Sequence, residues 1–245
     1  KVKAVVELMP YSSGLNRNIV QCLNDFNIPL KFSHTVVDIK AKDGRVSGVV
    51  IAAVDDKLKP VMASAEEIKC DTLLLSVGLL PENELAGYAD VTLSPITSGA
   101  VVDDKMMTNV DGIFECGNVL HVHDLVDYVS EESEHAGLCA AEYIKKGASR
   151  NSQIDVKGTN GVRYVVPQKI NKDDDFAPIN LKMRVANVFK KVEVAVLLDG
   201  VKIAGKKKQI VTPGEMETIA LGSEVVQKVK AGSTLEVTLL SGGQK

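Results

Sequence analysis

The hydrophobic pattern divides this chain in two. Before about residue 147, short apolar runs alternate with stretches of helical periodicity. Residues 147–161 are rich in Gly, Ser, Asn and Gln, and beyond them the pattern is almost wholly strand and turn. Residues 3–8 predict a strand, followed by a Pro-Tyr-Ser-Ser-Gly loop. Ile19, Val20, Leu23 and Phe26 recur at three- and four-residue spacing and predict a helix over 16–26. Short β-branched or alternating runs at 29–37, 39–42, 46–54 and 59–63 predict a small antiparallel meander, with Asp43-Gly44 as a hairpin turn. The run Asp-Thr-Leu-Leu-Leu-Ser-Val at 71–77, ended by Gly78, reads as a buried strand of a parallel sheet. A further strand is expected at 112–116 and a long helix over 124–146. Ala136, Gly137, Ala140 and Ala141 give that helix a small-residue face for close packing.

Past residue 160 the period is two. Ile179, Leu181, Met183 and Val185 alternate with Asn180, Lys182 and Arg184; Val192, Val194, Val196 and Leu198 do the same before Asp199-Gly200; Leu235, Val237 and Leu239 close the series. With DG and PG turns between them, these runs predict a small antiparallel sandwich or barrel. Lys206-Lys207-Lys208 reads as a solvated edge or turn that discourages sheet-to-sheet pairing.

Composition narrows the function classes. The chain has 245 residues with a formal net charge of -3, so no basic surplus points to nucleic acid or an anionic membrane. No apolar run approaches the ~20 residues of a membrane-spanning helix. The start, Lys1-Val2-Lys3-Ala4, has neither an initiator Met nor the layout of a secretion signal. Cys22, Cys70, Cys116 and Cys139 are widely spaced without a CxxC pair, which suits small core residues in a reducing cytoplasm rather than a zinc or dithiol site.

Two segments exceed generic patterning. The first ends a strand-like run in Ser76-Val77-Gly78 and continues to Pro81-Glu82-Asn83. The second is Thr108-Asn109-Val110-Asp111-Gly112-Ile113-Phe114-Glu115-Cys116-Gly117-Asn118, followed by a loop and the long helix. A glycine at such a strand end lets backbone approach a ligand closely, and a helix start offers free N–H groups to electron-rich oxygens. In order and spacing the two segments resemble the flavin-dependent pyridine nucleotide-disulfide oxidoreductases. There the Gly–Pro segment marks the return from the NAD-binding to the FAD-binding domain, and T-x-x-x-G-I-F-x-x-G-D sets an acidic side chain on the flavin's ribityl chain. Asn118 stands where the family has Asp; it keeps a hydrogen bond and loses the charge.

The resemblance implies an α/β chain of partial FAD/NAD(P)-binding, Rossmann-like three-layer domains followed by a small all-β, sandwich-like domain. Residues 1–75 would close an NAD-binding domain, 76–150 an FAD-binding domain, and 160–245 would form the β domain. Gly117 and Asn118 would bind FAD, with His123, Asp124, Leu125 and Val126 near its ring system, and Gly78 and Pro81, at the return between the two domains, would also be cofactor-binding. Glu7, at the end of the first strand, sits where an acidic residue would bond the NAD ribose. No residue is singled out for proton transfer.

A narrower resemblance is carried by Leu8-Met9-Pro10-Tyr11 with Ser13-Gly14-Leu15, by residues 117–127, by Pro167-Gln168-Lys169-Ile170 and by Pro213-Gly214-Glu215-Met216. These are similar to NAD(FAD)-dependent dehydrogenases associated with anaerobic glycerol-3-phosphate dehydrogenase and with opine oxidase subunits.

The chain contains no GxGxxG turn, so neither cofactor's pyrophosphate has its usual cradle here. The resemblance therefore implies a C-terminal piece of a longer flavoenzyme that passes electrons from NAD(H) through FAD to a small-molecule substrate, an acceptor protein or a partner subunit, the piece alone being inactive. The competing expectation is a non-enzymatic assembly module with a degenerate dinucleotide fold and a β-rich docking domain. His121-x-His123-Asp124 holds metal-type side chains, but no further ligand set follows at a zinc-like spacing, so the cluster reads as a flavin-edge loop or a set of structural polar contacts and no metal is assigned.

Overall fold

A computed structural model of the chain describes residues 1–12, 14, 16–147, 153–171, 178–230 and 232–241. The fold is mixed α/β, and contacts divide it into two compact units, residues 1–78 and 79–245. Residues 79–150 of the expected second domain share the second unit with the expected third domain. Ser13 and Leu15 of the narrower motif, and 148–152 of the expected linker, lie outside the described residues.

In the first unit, β1 (Val5–Val6) pairs in parallel with β2 (Leu30–Lys31), and between them lies α1 (Asn16–Asn18), continued by a π-helical stretch at Ile19–Asn24. The apolar positions expected to line a packed face here are not sequestered: Val20 is 45% and Phe26 69% exposed. A three-stranded antiparallel sheet follows in the order β3 (His34–Lys42), β4 (Arg45–Ala53), β5 (Glu66–Ile68). Asp43 and Gly44 have φ of 52° and 76°, the paired positive values that a two-residue hairpin turn of the I′ kind requires. Val49, Ile51 and Ala52 of β4 are buried. The strand expected at 59–63 is instead a bridge at Pro60 and a 3₁₀ turn, Met62–Ser64.

The largest departure is at 71–77, where no strand forms and Leu74, Leu75 and Val77 are 84%, 71% and 90% exposed. A parallel strand is buried by neighbours that take up its backbone N–H and C=O groups, and no described strand pairs with this run.

The second unit begins with α2 (Glu84–Tyr88) and turns leading to α3 (Val126–Lys146). The strand expected at 112–116 is reduced to one bridge, Met107 to Phe114, because Asp111-Gly112 turns the chain back sharply. The rest is sheet. β6 (Gln153–Gly158), β8 (Lys169–Asn171), β10 (Phe189–Leu198), β11 (Val201–Val211) and β13 (Leu235–Ser241) form a five-stranded sheet ordered β11-β10-β13-β6-β8. β7 (Val162–Val166), β9 (Ile179–Val185) and β12 (Glu217–Leu221) form a second, ordered β12-β9-β7.

The two sheets share one core, with Val156, Val194, Val196 and Val237 from the first meeting Val165, Leu181, Met183 and Leu221 from the second. Period-two alternation supplies that face, as each strand turns every second side chain inward. Pairing is antiparallel except between β13 and β6, which run parallel. The triple lysine lies on β11, an edge strand, where Lys208 pairs with Glu217 at 2.6 Å. A smaller core joins Val91, Ala100, Val102, Leu120 and Ala136 to Val166 of β7. At its centre Gly99 is indispensable, since a Cβ there would lie 1.8 Å from the Leu120 carbonyl oxygen.

Candidate functional site

The loop from Gly117 to Leu125 and the start of α3 are held by a cluster of buried polar groups. Gly117 has φ of +75° and opens a 3₁₀ turn whose carbonyl accepts from the N–H groups of Leu120 and His121 at 3.0 and 3.1 Å. That turn brings His121 and His123 to one side, with ring centroids 4.4 Å apart. Both rings meet Glu132, the buried acid on the first turns of α3: His121 Nε2 is 2.9 Å from its Oε2 and His123 Nε2 3.1 Å from its Oε1. The Gly117 N–H donates to Glu132 Oε1 at 2.8 Å, and the Lys182 ammonium of β9 donates to Oε2 at 3.1 Å. Glu132 is thus a carboxylate with four donors and a side chain that is 0% exposed.

Electrostatics follow from this arrangement. Burial pushes the Glu132 carboxyl up, but the hydrogen bonds from His121 and His123 and the charge of Lys182 outweigh it, and the group lies well below the usual carboxylate range. Burial pulls His121 down, against the opposing pull of Glu132. With Glu132 ionised, each Nε2 carries its proton toward the acid, and the Nδ1 atoms of His121 and His123 are buried without a partner among the described residues. Donor atoms of His121, His123 and Glu132 lie within 4.8 Å of one another, as metal ligands do, yet an ammonium ion already balances that carboxylate.

A second anchor adjoins the first. Arg184, two residues along β9 and therefore on the same face as Lys182, donates from Nη2 to the Val122 carbonyl at 3.0 Å and to Asp124 Oδ1 at 3.2 Å, and from Nη1 to the Pro213 carbonyl at 3.0 Å. Asp124 Oδ2 accepts the Met216 N–H at 3.1 Å. Asn83, buried beyond Pro81, donates from Nδ2 to the carbonyls of Ser98 and Val119 at 2.9 and 2.8 Å, fastening the loop from the other side.

Gly117, Asn118, His123, Asp124, Leu125 and Val126 are brought together here. Asn118 is exposed, and its Oδ1 accepts the His123 N–H at 3.0 Å. Leu125 precedes α3 in an extended conformation without a side-chain cap, and Val126 is 74% exposed. The N-terminus of this 21-residue helix thus has no capping side chain on its first N–H groups. Pro81 is half-buried, and Gly78, at φ +95°, lies in open space at the end of the first unit. Glu7 lies in the first unit just after β1, where its Oε1 accepts the Met9 N–H at 3.0 Å.

Sequence reasoning passed over Glu132, Lys182, Arg184 and Asn83. One signal for Glu132 was present: Val129, Glu132, Ala136, Cys139 and Tyr143 recur at helical spacing, so an acid stands within the inward stripe of α3. Lys182 and Arg184 read only as the solvent side of an alternating strand.

Residues 2–132, more than half of the chain, match the pyridine nucleotide-disulphide oxidoreductase family, and the chain belongs to that family. Its relatives are named reductases. It is 32% identical over 91 residues to a rubredoxin-NAD(+) reductase of Ectopseudomonas oleovorans, covering 37% of this chain and 20% of the relative. It is 24% identical over 148 residues to a ferredoxin–NADP reductase of Ignicoccus hospitalis, covering 55% and 46%. Among solved structures, thioredoxin reductase from T. acidophilum aligns with a TM-score of 0.49 at 22% identity, over 58% of this chain and 44% of that one. The chain spans less than half the length of these curated relatives.

Proposed function

We propose that this chain is part of an FAD-dependent oxidoreductase that moves electrons from NAD(H) to an acceptor protein, a partner subunit or a small substrate. The observation that carries the reading is the edge formed by Gly117 and the start of α3, within a chain that belongs to this family. A flavin, when bound, supplies the two-electron centre between a nicotinamide and the acceptor. The chain's own contribution is to bind and orient. The N–H groups of the first α3 turn, which no side chain caps, suit electron-rich ring oxygens through hydrogen bonding and the helix dipole. Asn118 and Asp124 spend side-chain bonds on the loop itself, so their role in this reading is to shape the edge. Gly78 and Pro81 mark the crossing between domains, and Glu7 recognises the NAD ribose.

In the same reading residues 1–75 close an NAD-binding domain, 76–150 an FAD-binding domain, and 160–245 form a sandwich-like domain, in a cytoplasmic protein of the glycerol-3-phosphate dehydrogenase and opine oxidase subunit type. No described helix is long and apolar enough to cross a membrane, and the four cysteines are free.

The test is purification of the protein from its complete reading frame, followed by anaerobic titration with NADH while flavin absorbance is followed. Retained flavin that bleaches with NADH is expected, and Glu7→Gln should weaken NADH about tenfold, roughly 1.4 kcal/mol. A protein without flavin, or a flavin that neither NADH nor NADPH bleaches, overturns the proposal.

A further inference from the structure

We propose that Lys182 and Arg184, both carried by β9 of the β-rich segment, are positioning residues that clamp the 117–125 loop and the start of α3, so that the β-rich segment sets the geometry of the flavin edge. The inference rests on the flavin reading only for what the edge binds; the clamp itself stands on contacts within the second unit.

β9 is a rigid base for such a clamp. It is the central strand of its sheet, laddered to β12 on one side and β7 on the other, with Leu181 and Met183 0% exposed in the core behind it. Residues i and i+2 of a strand stand on one face about 6–7 Å apart. Lys182 and Arg184 therefore present two charges at a fixed separation to whatever covers the sheet, and what covers it is the loop.

The two act by different routes. Lys182 works through Glu132, which in turn holds the Gly117 N–H and both imidazoles. Arg184 grips the loop directly, at the Val122 carbonyl and the Asp124 carboxylate, and ties it to the turn before β12 through Pro213. Each charge meets an opposite one: Lys182 faces Glu132, and Arg184 faces Asp124. Pairing of this kind is what buried ions require. The groups around His121 are Glu132 from α3, His123 from the loop, Lys182 from β9 and the Tyr164 ring from β7, edge-on at 6.0 Å. Burial above all, and the Lys182 charge in addition, disfavour a second proton on His121, whose Nδ1 has no partner among the described residues.

The clamp explains why a cofactor-type loop carries so many internal bonds. Gly117 N–H, Asn118 Oδ1 and both Asp124 oxygens are engaged within the fold, while the N–H groups of the first α3 turn have no side-chain cap. A pre-shaped edge binds at a lower ordering cost.

Two readouts on the full 245-residue chain, taken without cofactor, test this. Amide hydrogen exchange of Arg184→Met should be at least tenfold faster over 118–125, while β9, β10 and β13 keep their protection. Proton NMR of the imidazoles should show the His121 midpoint rising in Lys182→Met, where the repelling ammonium is gone, and returning in Lys182→Arg. Should Lys182→Met fail to fold, the pair Glu132→Gln with Lys182→Met removes both charges and is expected to exchange faster over the same loop. Unchanged exchange at 118–125, exchange that rises equally across the sheets, or a His121 midpoint indifferent to Lys182 overturns the clamp. Absence of flavin in the complete protein would sink the flavin reading alone and leave these outcomes untouched, so the two failures are distinguishable.

Discussion

Residues 71–77 and β9 each carry four large apolar residues in seven positions, and they end in opposite places. In β9 the apolar side chains are buried, Leu181 and Met183 fully, and the intervening Lys182 and Arg184 are covered as well. In 71–77 three of the large apolar side chains are more than two-thirds exposed. Residues 71–77 hold one charged residue and β9 two, so hydrophobicity did not decide the outcome. Ladders did: β9 has a strand on each side, and 71–77 has none among the described residues. An apolar run records a demand for burial, and only partners for its backbone meet it.

The largest expected effect tests the polar side of β9. Glu132→Ala leaves Lys182, the Gly117 N–H and two imidazole N–H groups buried without their acceptor, and should cost about 3–5 kcal/mol in chemical unfolding. Glu132→Gln, which keeps an acceptor oxygen, should cost less. The sign with pH follows from the direction of the shift. Glu132 is held below its ordinary range when folded, so its contribution is present above about pH 4.3 and is lost as pH falls below that. The Gln variant should show a flatter acid limb, and an equally steep one would remove Glu132 from the account.

Next in size is the apolar side. Leu181→Ala opens a cavity at a fully buried position and should cost about 2–5 kcal/mol. A cost under about 1 kcal/mol would mean that the shared core of the two sheets collapses freely around the site, contrary to its close packing.

A good part of this was legible beforehand. Period-two alternation located β9, β10 and β13, because each buries one face against the other sheet, and the Asp43-Gly44 and Asp199-Gly200 turns followed from the need for positive φ. Helical spacing and flanking polar residues located α3 within two residues at its start. The Gly117–Val126 edge was legible as a motif, but its supports were not. Lys182 meets Glu132 across 50 positions of sequence, and Arg184 meets Asp124 across 60. Local periodicity assigns such residues to solvent, since nothing nearby in the chain shows that a loop will cover them.

A smaller effect sharpens the link between the loops and β8. Asp104 accepts the Asn171 N–H at 2.7 Å, and burial pushes its carboxyl up to about 6. A raised carboxyl favours the protonated fold, so stability from this group is full below about pH 4 and declines as pH rises through about 6. Asp104→Asn keeps the acceptor oxygen and discards the charge. It should raise stability by about 1–2 kcal/mol at pH 8 and have little effect at pH 4. Thermal unfolding at the two pH values reads this directly, and equal effects at both would refute the sign.

The smallest expected effect returns to 71–77. Leu75→Ala removes apolar atoms that are already in water, so unfolding free energy should change by less than about 0.5 kcal/mol. The same substitution is far from neutral if the run acquires a strand partner in the complete protein, since it would then remove a buried side chain worth about 2–5 kcal/mol. Measuring Leu75→Ala in the 245-residue chain and in the complete protein therefore separates two origins of exposure. Equal, small changes in both mean that the run is solvated wherever it occurs. A small change in the first and a large one in the second means that 71–77 carries the same demand as β9, met by a ladder from elsewhere.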